Sequence, residues 1–263
     1  MLENVKLILT DMDGTLLNSK RELPSDFKEC FDKLKDNGII FAVASGRQYF
    51  TLRENFKDYA DDMLFIAENG TFVAYKNETV AVHSLDKNIA YDLIRKGKEL
   101  GVCVVVATDN GAFYETTEDR HINEIAKYYV KTQHVDNLLT VDSNIIKVTF
   151  LDIQGAENHS YPYLKEFENV AQIALAGDIW VDAMPKGINK GTAILDIREK
   201  LGISFEETMA FGDYLNDKEM LENVNYSYAM ANAHPIIKQV AKYEAPSNDE
   251  NGVTTVIKQM LNN

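Results

Sequence analysis

LILTDMDGTLLNS, residues 7–19, sets Asp11 and Asp13 two positions apart at the end of an unbroken apolar run. Such a run is what a parallel strand buried on both faces requires. Ligands in open α/β sheets gather outside the carboxyl ends of the strands. Two carboxylates placed there repel each other and lose hydration, so a cation is needed to hold them together. Asp11, Asp13, Thr15 and Glu22 also fit the spacing of a calcium-binding EF-hand loop. That loop needs glycine where Leu16 stands and a helix where the apolar run reads as strand, so the EF-hand reading fails. Taken alone, the pair also fits an ordinary surface turn.

Working outward, SDFKECFDKLKDNG (25–38) reads as a helix, with Ser25 as its cap, Phe27, Cys30, Phe31 and Leu34 on one face, and Gly38 at its end. IIFAVAS (39–45) is a second buried strand, RQYFTLRENF (47–56) a helix and MLFIAENG (63–70) a third strand. This alternation implies a mainly parallel sheet with right-handed crossovers. The middle of the chain differs. It holds a helical stretch at 85–101, a hairpin turning at Asp109-Asn110-Gly111, a helical EDRHINEIAKYYV (118–130), an extended IIKVTFLD, and two strands meeting near Gly177. After Pro185 the β/α alternation resumes. The expected architecture is one α/β domain, residues 1–82 and 187–263, interrupted by an α+β cap, residues 83–186.

The chain of 263 residues carries 41 acidic against 27 basic side chains, a net charge of -14, which argues against a nucleic-acid or anionic-membrane binder. Its five histidines are scattered without zinc-type spacing, and Cys30 and Cys103 both sit in apolar patterns rather than a disulfide framework. With no signal-peptide pattern and no apolar run long enough to span a bilayer, the expected location is the cytoplasm.

Three more polar clusters follow predicted strands or open predicted helices. In ASGRQ, Ser45 suits an anion at a helix start, and reads equally as an ordinary N-cap. In PKGINKG, Lys190 stands in the first turn of a helix, against the helix dipole. A bound anion resolves that conflict, and a solvated lysine is the other reading. In FGDYLNDKEM, a helix cap accounts for Asn216 or Asp217, but not for Asp213 just outside an apolar strand. Asp11, Asp13 and Asp213 together make an oxygen-rich site suited to Mg²⁺, and Lys190 completes a site for metal and phosphate.

DMDGTLL, VASGR, KGINKG and GDYLND, in this order, resemble the four signature motifs of the haloacid dehalogenase (HAD) superfamily of phosphatases. The inserted unit after AENGTFV resembles that of the Cof-type branch, and VASGRQY, AENG, GDYLNDKEML and YSYAMANA are similar to bacterial sugar phosphatases. Ala231 stands where many relatives have glycine, a departure that puts no catalytic role in doubt. The resemblance implies a Rossmann-like core and a Mg²⁺-dependent hydrolysis of small phosphorylated metabolites, foremost sugar phosphates, through an aspartyl-phosphate. It implies Asp11 as nucleophile and Asp13 as general acid and then base. Asp11, the Asp13 backbone carbonyl and Asp213 would hold Mg²⁺. Ser45, Gly46 and Lys190 would bind phosphate, Asn216 would contact phosphate or substrate, and Thr15 and Asp217 would support the site. A closing cap would exclude water, with Asp109, Tyr114, Trp180 and Asp182 as positions that could face the substrate. A phosphomutase of the same superfamily and a phosphorylation switch accepting phosphate on Asp11 are the alternatives.

Overall fold

The structure, a computed structural model, describes residues 4–261. Their contacts divide the chain into two compact units: Met1–Gly46 with Phe56–Ala81 and Asn189–Asn263, and Arg47–Asn55 with Val82–Ile188. The chain runs through β1 (Leu7–Asp11), α1 (Phe27–Asp36), β2 (Ile40–Ala44), α2 (Tyr49–Asn55), β3 (Leu64–Ala67), β4 (Phe72–Tyr75) and β5 (Glu78–Val82). There follow α3 (Lys87–Glu99), β6 (Cys103–Thr108), β7 (Gly111–Tyr114), α4 (Asp119–Ile125), β8 (Thr132–His134), β9 (Ile145–Leu151), α5 (Tyr161–Leu164), β10 (Ala171–Gly177) and β11 (Trp180–Pro185). The last stretch holds α6 (Lys190–Leu201), β12 (Thr208–Gly212), α7 (Lys218–Glu222), β13 (Tyr226–Met230), α8 (Pro235–Val240), β14 (Tyr243–Ala245) and α9 (Gly252–Leu261).

The first unit is built on an eight-stranded sheet of order β14-β13-β12-β1-β2-β3-β4-β5. From β14 to β3 neighbouring strands are parallel, and β4 returns antiparallel to β3. The α/β expectation with a mainly parallel sheet therefore holds. Strand β1 is central and buried at every position, paired with β2 on one side and β12 on the other. The chain continues from β1 to β2 in one direction, whereas β12 arrives some two hundred residues later on the opposite side. The crevice beyond the carboxyl ends of β1 and β12 is thus a topological switch point, where side chains from both connections converge.

Helix α1 buries Phe27, Cys30, Phe31 and Leu34, as their spacing predicts, but Ser25 does not cap it. The residue at the cap is Asp26, and its carboxylate accepts instead from Thr254 Oγ1 at 2.9 Å and Lys258 Nζ at 2.7 Å on α9. A tertiary ion pair has outcompeted a local cap. The β4–β5 hairpin went unread in the sequence. Its two turn residues, Lys76 and Asn77, both take positive φ, as a tight hairpin turn demands.

The second unit carries a six-stranded sheet of order β10-β11-β9-β6-β7-β8, antiparallel except between β7 and β8. Period-two alternation sorts its faces. Val104, Val106, Val148, Phe150, Val181 and Ala183 join Leu93 and Ile94 of α3 in one apolar cluster. Out of register with these apolar residues are Lys147, Thr149 and Asp182, which are nonetheless buried. Lys147 Nζ lies 3.2 Å from Asp182 Oδ2, and Thr149 Oγ1 donates to Asp182 Oδ1 at 2.7 Å. Helix α4 stops at Ile125, short of the expected Val130. The residues beyond it leave the helix to pack, with Tyr129 Oη 3.2 Å from Thr149 Oγ1 and the Tyr128 ring edge-on to Trp180. Among the described residues, no helix is long and apolar enough to cross a membrane.

Candidate active site

Asp11 ends β1, and the chain turns at once through Gly14, whose φ of 85° is left-handed. A Cβ on Gly14 would come within 2.5 Å of Asp213 Oδ2, so only glycine lets the loop approach that carboxylate. Asp213 follows directly on β12 and accepts from Thr15 Oγ1 at 2.8 Å. The two strand ends are thereby tied by one hydroxyl. Asn232 holds the loop from the other side, donating from Nδ2 to the Gly14 carbonyl at 2.8 Å.

Lys190 is the first residue of α6, a helix capped by Asn189, whose side chain accepts from the N–H groups of Gly191 and Thr192. Gly70, with φ 104°, packs so tightly that a Cβ there would lie 2.3 Å from the Asn189 carbonyl oxygen, which fixes the start of α6. The Lys190 side chain is 0% exposed, and its Nζ lies 2.5 Å from Asp11 Oδ1 and 2.6 Å from Asp217 Oδ1. The conflict between a lysine and the helix dipole is thus resolved by two carboxylates of the protein itself. Asp217, also 0% exposed at its side chain, uses Oδ2 to accept from the backbone N–H groups of Asp213 and Tyr214, at 3.0 and 3.2 Å. It links the lysine to the loop that carries Asp213.

Carboxylate oxygens of Asp11, Asp213 and Asp217 lie within 4.8 Å of one another, a cluster able to hold a metal ion. All-oxygen donors of this hardness fit Mg²⁺, which binds through few carboxylates and keeps several waters. With both oxygens of Asp217 already engaged, Asp11 and Asp213 are the better-disposed ligands and Asp217 orients them. Burial, and after it the Asp217 charge, pushes the Asp11 carboxyl up to about 8, against the opposing pull of Lys190. Asp213 is also raised, chiefly by burial. Burial disfavours the charged lysine, but Asp11 and Asp217 more than offset it, so Lys190 stays protonated. Three carboxylates share one ammonium, an excess of negative charge that a divalent cation would relieve.

The remaining candidates lie around this cluster. Asp13 is exposed, two residues beyond Asp11. Ala44 pairs in register with Asp11, so Ser45 sits one residue further along the neighbouring strand end, buried rather than at a helix start. Helix α2 begins only at Tyr49, which removes the N-cap reading of Ser45. Gly46 lies against the Asn69 side chain, and Asn216 is exposed in the turn between Asp213 and Asp217. In the second unit, Asp182 and Trp180 are buried, and Asp109 accepts from Asn144 Nδ2 at 2.7 Å. The Tyr114 ring packs edge-on to His134. Sequence reasoning gave no role to Asn232, and it did not foresee the bond from Lys190 to Asp217. The position of Asn232 just past β13, a third strand end beside the crevice, is the signal that could have found it.

A family model of haloacid dehalogenase-like hydrolases matches residues 8–257. The chain belongs to this family. It is 30% identical over 270 residues to a 5-amino-6-(5-phospho-D-ribitylamino)uracil phosphatase of Escherichia coli (strain K12), covering 98% of this chain and 97% of that one. A Bacillus subtilis (strain 168) phosphatase of the same name is 28% identical, with 98% and 96% covered. A solved structure from Eubacterium rectale superposes with a TM-score of 0.88 at 32% identity, covering 97% of this chain and 98% of that chain. The resemblance drawn from the four motifs holds, and the assignment to the hydrolases of phosphoric monoesters holds with it.

Proposed function

We propose that this HAD-family protein is a cytoplasmic, Mg²⁺-dependent phosphatase of small phosphorylated metabolites, foremost sugar and sugar-alcohol phosphates, acting through an aspartyl-phosphate (an acyl phosphate) on Asp11. The observation that carries the reading is the buried Lys190 bridging Asp11 and Asp217 beside Asp213. A buried cation aimed at a carboxylate at a strand end is what an anionic phosphoryl group needs on arrival. The E. coli and B. subtilis relatives are named for a substrate phosphorylated on a ribityl chain, which supports a phosphorylated polyol. Two buried cysteine thiols suit a reducing compartment.

In this reading a carboxylate oxygen of Asp11 attacks phosphorus, and the bond from phosphorus to the substrate oxygen breaks. Asp13 donates its proton to that departing oxygen. Asp13 then takes a proton from water as the water attacks the acyl phosphate, returning Asp11 and releasing phosphate. Lys190 holds an Asp11 oxygen in place, Thr15 and Asp217 keep Asp213 in line with it, and Ser45 and Gly46 contact phosphate oxygens, with Asn216 reaching phosphate or substrate. Bound at Asp11, Asp213 and the Asp13 backbone carbonyl, Mg²⁺ would supply charge neutralisation to the phosphoryl group.

The test is phosphate release from hexose and pentose phosphates, abolished by chelation and restored by Mg²⁺. Asp13→Asn on p-nitrophenyl phosphate, whose leaving group needs little acid help, should give a burst of one p-nitrophenol per enzyme followed by slow turnover. Equal slowing of both phases would remove Asp13 as acid and base, and conversion to an isomeric phosphate without release would make the protein a mutase.

The raised Asp11 carboxyl sets a pH dependence with a definite sign. Its proton competes with the metal, so affinity for Mg²⁺ rises with pH and levels off above about 8. Near pH 7, binding should release about one proton, measured by calorimetry in two buffers of different ionisation enthalpy. Affinity flat across this range would show that Asp11 is already ionised without metal.

A further inference from the structure

Tyr214 is the residue next to Asp213, and it is 59% exposed although it belongs to a turn held by the buried Asp217 carboxylate. Its backbone N–H donates to the buried Asp217 carboxylate, and the preceding carbonyl, that of Asp213, accepts from His234 N–H at 2.8 Å. The His234 ring stands against the Tyr214 ring, with centroids 5.8 Å apart and planes at 84°. An edge-to-face pair covers at most one face of the tyrosine. The ring is therefore braced, with at least one face left open by His234. Leu215 and Asn216, the next two residues, are exposed as well, so apolar surface and a side-chain amide follow the ring directly. A large exposed aromatic is costly to leave in water unless something packs on it, and a braced one loses little conformational freedom when that happens.

We propose that Tyr214 is a specificity-determining residue. Its ring stacks on a planar nitrogen heterocycle carried by the alcohol portion of the phosphate ester, and Asn216 offers that heterocycle a polar partner. The inference rests on the phosphatase reading above and narrows its substrate class to polyol phosphates that bear a flat ring. Stacking acts on the part of the substrate remote from phosphorus, so it contributes to binding in ground state and transition state alike, and its loss appears in KM.

Two probes separate the ring from the rest of the substrate: riboflavin 5′-phosphate, a ribityl phosphate carrying a planar tricycle, and ribitol 5-phosphate, the same chain without it. Tyr214→Ala keeps the backbone N–H that Asp217 needs. It should raise KM for riboflavin 5′-phosphate about ten-fold, the order of one lost aromatic stack. Its kcat on this ester, and both constants on ribitol 5-phosphate, should stay within about two-fold of wild type, and Tyr214→Phe should restore KM. Equal rises in KM for both esters would mean a merely structural tyrosine and overturn the proposal, as would unchanged KM for both. If the wild type hydrolyses ribitol 5-phosphate but not riboflavin 5′-phosphate, the ring-bearing substrate class falls while the phosphatase reading stands. Release from neither ester, nor from the hexose and pentose phosphates, removes the phosphatase reading and this inference with it.

Discussion

Asp11→Asn should lower phosphate release by about 10⁴-fold or more while leaving the fold intact. The amide keeps the shape of the side chain at the end of β1, and its oxygen still accepts from Lys190, so Lys190 remains paired with Asp217. On the proposed mechanism it loses the anionic nucleophile and one metal ligand together. Stability should move the other way from activity. A carboxyl raised to about 8 by burial costs the folded state free energy as pH rises from the ordinary carboxylate range through that value. Asparagine does not titrate, so the metal-free variant should melt no lower than wild type at pH 7, and higher near pH 8. Near-wild-type release by Asp11→Asn would rule out covalent catalysis at this residue. A large drop in melting temperature would show that the negative charge, not the shape, holds this corner of the sheet.

Lys190→Met should be damaging in both respects. It removes the only cation bonded to Asp11 and Asp217 among the described contacts, leaving two buried carboxylates facing each other. Breaking a buried pair from one side costs about 3–5 kcal/mol. The pH sign follows from the carboxylates. With the lysine gone, the Asp11 carboxyl, already raised by burial, loses the pull that opposes that rise, so the variant should be most stable in mild acid, where Asp11 is protonated, and should lose stability steadily toward pH 8. Added Mg²⁺ should recover part of that loss by replacing the missing charge. Turnover should fall by roughly 10²–10³-fold, as when a preorganised electrostatic partner is lost. Thermal unfolding across pH, with and without Mg²⁺, checks the first part, and a pH-flat stability equal to wild type would deny Lys190 its neutralising role.

The parts of this molecule legible in the sequence are those written in local patterns. Continuous apolar runs gave β1, β2, β3 and β12, and polar residues at their ends marked the crevice at the switch point. What escaped depends on partners far away in the chain. Lys190 and Asp217 are 27 residues apart, and nothing in GDYLND says that its last aspartate is wholly buried against a lysine. Asp26 abandons its cap for α9, and the sequence beyond Ile125 leaves its helical pattern because Tyr128 and Tyr129 find Trp180 and Thr149. Asp182 reads as a position that could face the substrate, yet it is buried, with Lys147 and Thr149 meeting it inside the second unit. In each case the competing interaction is one that local spacing cannot encode.

The position of β1 also has a consequence for how the protein is made. Asp11 and Lys190, in contact in the finished site, are separated by 179 residues, and β12, the other neighbour of β1, is synthesised later still. At the ribosomal pace of about 5–20 residues per second, β1 waits roughly 10–40 s with one edge unfilled. That edge belongs to LILTD, whose first four residues carry no charge and no proline to discourage a stray strand from pairing with it. The emerging chain is therefore most exposed to aggregation during this interval, when the phosphoryl-transfer centre does not yet exist. Chains interrupted before residue 208 would be expected to remain bound to chaperones.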